Sequence, residues 1–106
     1  GLGHEFLKHV RKSKHLILVI DSSTQDPIND AHSVINEINL YQNGLSDKIF
    51  LILINKIDRI KDCTGLIDRF QQAFPFIKSL PISAKYNLNL KAIFKFLQET
   101  NLINER

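Results

Sequence analysis

A chain of 106 residues with 43% hydrophobic and 24% charged side chains has the make-up of one compact globular domain, or a piece of a larger one. The single cysteine, Cys63, excludes an internal disulfide framework, no apolar stretch approaches the ~20 residues of a membrane span, and the first residues carry no signal-peptide pattern, so a cytoplasmic setting is expected. Much of the net charge of +3 is gathered in Lys8, Arg11, Lys12 and Lys14, with His9 and His15 among them; such a patch suits RNA phosphates, and also suits a plain solvated helix face.

In chain order, Phe6, Leu7 and Val10 suggest a short helix after Gly1 and Gly3. The run Leu16 to Ile20 follows. It does not alternate, which suits a strand buried on both faces of a parallel sheet. Asp26 and Pro27 mark a helix start, and Ile28, Ala31, Ile35 and Ile38 share one face. Gly44 and Ser46 mark the loop before a second apolar run, Ile49 to Ile54. Leu66, Ile67, Phe70 and Phe74 form another helical stripe. A third strand is expected within Phe76 to Ile82, at the sheet edge because Pro81 cannot donate to the ladder. Leu90, Ile93, Phe94 and Leu97 make the last stripe. The order α-β-α-β-α-β-α implies an α/β fold of three parallel strands joined by right-handed crossovers.

Ligands of open α/β sheets bind at the carboxyl ends of the strands. The segments leaving those ends are Asp21-Ser22-Ser23, Asn55-Lys56-Ile57-Asp58 and Ser83-Ala84-Lys85. Asn55 to Asp58 form an NKxD motif. Guanine shows two adjacent donors, N1–H and the N2 amino group, and the Asp58 carboxylate can accept both as a charge-assisted bidentate pair. Adenine presents an acceptor at N1 and would leave that carboxylate unmatched. Asn55 can bond the base and tie neighbouring loops together; the stem of Lys56 can lie along the base while its ammonium stays in water. A backbone N–H in the Ser83-Ala84-Lys85 turn can donate to guanine O6, with Ser83 holding the turn through nearby backbone. The competing reading of each motif is a polar turn after a strand. What favours recognition is their succession, one strand-helix-strand unit apart.

Other patterns fail on geometry. His4 and His9 are five residues apart and point to different helix faces, so they cannot share a metal. Asp62-Cys63-Thr64-Gly65 fits DxxG, but it follows no strand and reads as a loop. Cys63 lacks a histidine partner nearby in sequence and reads as an idle thiol, and His15 and His32 show no ligand spacing. No GxxxxGK[ST] occurs: the glycines are Gly1, Gly3, Gly44 and Gly65, and none directly precedes a lysine. Little here would hold β- and γ-phosphates or magnesium, so these residues alone are not expected to hydrolyse GTP. No catalytic and no metal-binding residue is assigned.

With these motifs in place, the chain resembles the Obg family of GTPases. Gly1 to Arg11 (GLGHEFLKHVR) is similar to the family's GLGHxFLRHIxR stretch. Leu18 to Ser23 with Asp26-Pro27, then Ile35-Asn36-Glu37 with Tyr41, then Asn55 to Asp58 and Pro81 to Ala84, match later family patterns. Asn89 stands where relatives usually have glycine, and Arg59 and Lys48-Ile49 replace the usual Leu and Lys-Pro. The resemblance implies that residues 1–106 are the C-terminal part of an Obg-type GTPase domain: a partial P-loop-NTPase-type sheet with the first half of the domain missing. It implies GTP/GDP as ligand, Mg2+ held by the absent part, and slow hydrolysis by a parent acting in large ribosomal subunit assembly. Guanine-binding roles carry over to Asn55, Lys56, Asp58, Ser83, Ala84 and Lys85, and Gly1 to Lys8 would match the helix beyond the second switch.

In such GTPases another strand lies beside the one matched by Leu16 to Ile20, so an unpaired apolar edge is expected, prone to intermolecular strand pairing. Two further readings remain. One is a non-catalytic ribosome or RNA interaction module on a truncated GTPase fold. The other is an unrelated half of a doubly wound domain.

Overall fold

The structure, a computed structural model, describes residues 4–100. Helix α1 (His4–Lys12) leads into strand β1 (Leu16–Asp21), helix α2 (Pro27–Tyr41), a 3-10 turn (Leu45–Lys48) and strand β2 (Ile49–Asn55). A second 3-10 turn (Ile57–Arg59) precedes helix α3 (Cys63–Ala73), strand β3 (Lys78–Pro81) and helix α4 (Leu90–Glu99). The Gly1–Gly3 part of the opening family stretch lies outside the described residues.

The strands form one parallel sheet in the order β1-β2-β3, with β2 central. This is the α/β arrangement expected from the order of elements. Opposite Leu16 sits Ile49, while Ile17 to Asp21 pair with Leu51 to Asn55, so one irregularity at Leu16/Ile17 sets the register. Among the described residues both outer strands leave an edge open, β3 as expected from Pro81 and β1 on its other side.

Alternate side chains of β2 feed two cores. Leu18, Ile20, Ile52 and Ile54 pack with Ala31 and Ile38 of α2, Leu66 and Phe70 of α3, and Phe74 beyond it. Leu51, Leu53 and Ile82 meet Leu90, Ile93 and Phe96 of α4 on the opposite face. Phe50 stacks on Phe96 at 6.1 Å. The expectation that β1 is buried on both faces fails: Leu18 and Ile20 are buried, but Ile17 is 41% and Val19 56% exposed. The cause is coverage, since α4 packs over β2 and β3 and leaves that side of the edge strand bare.

Local chemistry explains the boundaries. Asp26 caps α2 by accepting from the Asn29 N–H at 3.1 Å, with Pro27 opening the helix. Asp62 caps α3 in the same way, from the Gly65 N–H at 2.9 Å. The DxxG-like residues Asp62 to Gly65 are therefore a cap and a first helical turn; the reading of them as a loop is corrected. Gly44 takes φ 84° at the head of the first 3-10 turn, a left-handed conformation that glycine adopts freely. The third strand is shorter than the apolar run. Pro75 and Phe76 form a turn outside it, with Phe76 99% exposed. On α4, Leu90 and Ile93 face the core as the stripe read from spacing has them, but Phe96 packs there in place of Phe94, which is exposed.

Candidate functional site

Backbone bonds carry the sheet past its strand ends and bring the three loops together. Ser22 N–H donates to Asn55 O at 3.0 Å, Ile82 N–H to Ile54 O at 2.9 Å, and Ile57 N–H to Ile82 O at 3.2 Å. The NKxD loop is thus pinned from both sides by main chain, before any side chain is considered.

Asn55, the last residue of β2, accepts the Ala84 N–H on its Oδ1 at 3.0 Å. Asp58 lies exposed in the 3-10 turn, and its Oδ1 accepts the Ser83 hydroxyl at 2.7 Å. Ser83 is fully buried, and its Oγ also accepts the Tyr86 N–H at 3.3 Å. The hydroxyl therefore holds its own turn, as expected, and orients the carboxylate as well. Asp58 keeps acceptor capacity on both oxygens, because an ionised carboxylate offers about four lone-pair directions.

The second loop is itself closed. Ser83 and Leu88 exchange both backbone hydrogen bonds, N–H to O at 3.1 and 2.9 Å. Asn87 and Asn89 adopt left-handed φ values of 57° and 63°, as the asparagine-for-glycine departure at Asn89 allows. Asn89 Nδ2 donates to Pro81 O at 2.8 Å. Ala84 N–H is committed to Asn55. Lys85 N–H has no acceptor among the described residues, while the Lys85 ammonium sits 5.3 Å from the centre of the Tyr86 ring. Four of the six sequence-derived residues, Asn55, Asp58, Ser83 and Ala84, are joined by hydrogen bonds, and Lys85 presents backbone beside them.

Lys56 departs from expectation. Its backbone is left-handed, with φ 65°, and its ammonium is paired to Asp21 Oδ2 at 2.7 Å rather than left to water alone. Spacing did not single out Asp21. The available signal was topological: it ends β1 at the carboxyl edge of the sheet, opposite Asn55 in register. Its other oxygen accepts both the Ser23 N–H at 2.8 Å and the Ser23 hydroxyl at 2.6 Å. Lys56, and then Ser23, hold the Asp21 carboxyl far below the usual carboxylate range. Burial, with the charge of Asp62 behind it, pushes the Cys63 thiol up, which fits an inert side chain.

Asp21 is tied to Lys56 and Ser23, and no cluster of three metal-ligating side chains exists among the described residues. These residues do not fit a magnesium ion. The arrangement suits a flat polar ligand instead: an anchored carboxylate with unspent acceptor sites, an amide, backbone N–H and an immobilised lysine stem around one edge of the sheet.

No family model matches the chain. Comparison with curated proteins gives a consistent answer. The chain is 41% identical over 73 residues to the GTPase Obg of a Cyanothece species, covering 67% of this chain and 20% of that protein. It is 37% identical over 87 residues to the GTPase Obg of Akkermansia muciniphila, covering 79% and 25%. With the GTPase Obg of Metamycoplasma arthritidis it shares 38% identity over 107 residues, 95% of this chain and 25% of the relative. The chain thus spans between a fifth and a quarter of these relatives' length. Likeness of this extent removes the unrelated half-domain from consideration, and the chain belongs to the Obg family of GTPases.

Proposed function

We propose that residues 1–106 are the C-terminal, guanine-recognising part of an Obg-type GTPase domain, binding GTP or GDP by the base. The observation that carries this reading is the Asp58 carboxylate, aimed by the buried Ser83 hydroxyl at 2.7 Å beside the Asn55–Ala84 contact. Guanine N1–H and N2–H2 meet the carboxylate, O6 meets the Lys85 N–H, and the stem of Lys56 lies against the ring. In this reading the complete protein hydrolyses GTP, with magnesium and the outer phosphates held by residues beyond these 106. The setting is cytoplasmic; no helix among the described residues is long and apolar enough to cross a membrane.

Binding to large-subunit ribosomal RNA is proposed for the basic face of α1. Lys8, Arg11, Lys12 and Tyr41 line one concavity of about 480 Å3. Between Glu5 and Lys14, four bases stand against one acid, so this stretch alone equals the chain's net +3. The same face would serve the alternative, a non-catalytic ribosome or RNA interaction module. Nucleotide titration separates the two. With millimolar GMP, IMP and AMP, amide NMR signals of Asn55 to Asp58 and Ser83 to Lys85 should shift strongly with GMP, weakly with IMP and not with AMP. Equal response to all three would refute base recognition and leave the module reading.

A further inference from the structure

We infer that Asp21 is a positioning residue for base recognition, acting through Lys56, an inference that rests on the guanine reading above. A lysine side chain has many rotamers to lose, so a free one makes a poor wall for a ring. Here it is not free. The left-handed backbone at Lys56 turns its side chain across the strand ends toward β1, where the ammonium meets Asp21 Oδ2 at 2.7 Å. That conformation is uncommon for a residue with a Cβ, and such strain collects where a side chain must be aimed.

Asp21 is fixed before Lys56 reaches it. Its backbone is in the β1–β2 ladder opposite Asn55, and its Oδ1 is held twice by Ser23, at 2.8 and 2.6 Å. Only Oδ2 remains, and it takes the ammonium. Ser23, Asp21 and Lys56 form a relay that ends on a methylene stem beside the Asn55 and Asp58 side chains. A planar purine arriving there finds one face already ordered, and the cost of immobilising that stem is met before binding. Asp58 reads the edge of the base; the Asp21–Lys56 pair presents the surface on which its face rests. The ligand class is a purine nucleotide, and this pair adds affinity without choosing between guanine and other purines.

The test is a double-mutant cycle on this chain, with GMP and IMP binding followed by NMR. Asp21→Asn keeps an oxygen for Ser23 and removes the ion pair; Lys56→Gln removes it from the other side and leaves the Ser23 turn intact. Each should weaken GMP and IMP binding alike, by about three- to tenfold, the scale of one freed side chain. The double variant should be no weaker than either single one, and the Asp58 and Ser83 signals should stay in place. Unchanged affinity in Asp21→Asn, or full additivity with Lys56→Gln, overturns the positioning role while base recognition stands. Failure of the unmodified chain to prefer GMP over AMP overturns both.

Discussion

Ser83→Ala is a small change with a calculable consequence. The Ser83 side chain is fully buried, and its hydroxyl makes two contacts: it donates to Asp58 at 2.7 Å and accepts the Tyr86 N–H at 3.3 Å. A hydrogen bond to a charged group contributes about 1.5–3 kcal/mol, but Asp58 is exposed and water can replace part of the loss. Tyr86 is exposed too, so its longer bond adds little. The expected destabilisation is about 1–1.5 kcal/mol, or a fall in Tm of about 5 °C for a domain of this size. The larger effect should be on recognition: an Asp58 carboxylate no longer aimed should bind GMP about tenfold more weakly, with IMP and GMP converging. Urea denaturation supplies the first quantity and NMR titration the second. A variant that loses stability but keeps full GMP-over-IMP preference would refute the claim that this hydroxyl orients the carboxylate.

Asp21 has a depressed folded-state pKa, so the stabilisation it brings is complete above the ordinary carboxylate range near pH 4 and is lost as pH falls through the lower folded value. Acid unfolding of Asp21→Asn should therefore be less steep below about pH 4 than that of the unmodified chain; identical acid limbs would contradict the ion pair. Asn89→Ala should cost about 2 kcal/mol by denaturation, from a left-handed φ of 63° and the lost bond to Pro81, whereas Asn89→Gly should cost less than half of that. The exposed edge strand is expected to promote self-association. Val19→Lys should lower the association seen by sedimentation at high concentration, and no difference would show that β1 is not the sticky edge.

Much of this molecule was legible in its sequence, for identifiable reasons. Three apolar runs spaced by helical stripes fix a parallel α/β order, and NKxD followed by Ser83-Ala84-Lys85 places both loops at one end of the sheet. Less accessible was anything dependent on which neighbour covers a surface. A run such as Leu16 to Ile20 looks the same whether one face or two are packed, and only the placement of α4 leaves Ile17 and Val19 exposed. Phe94 and Phe96 illustrate the same limit at helical spacing. The Asp21–Lys56 pair joins residues 35 positions apart, and local spacing carries no trace of such a contact. Asp62 was missed differently: a capping aspartate and a DxxG motif use the same letters, and the structure selects the cap.

Asp58 is proposed to specify guanine by matching two adjacent N–H donors. Asp58→Asn puts an amide donor where xanthine offers an acceptor, so NMR titration of that variant with GMP and XMP tests the claim directly. GMP binding should fall at least tenfold and XMP should become the better ligand, in line with the strong rejection of mismatched polar analogues. Retention of GMP preference with no gain for XMP would contradict it.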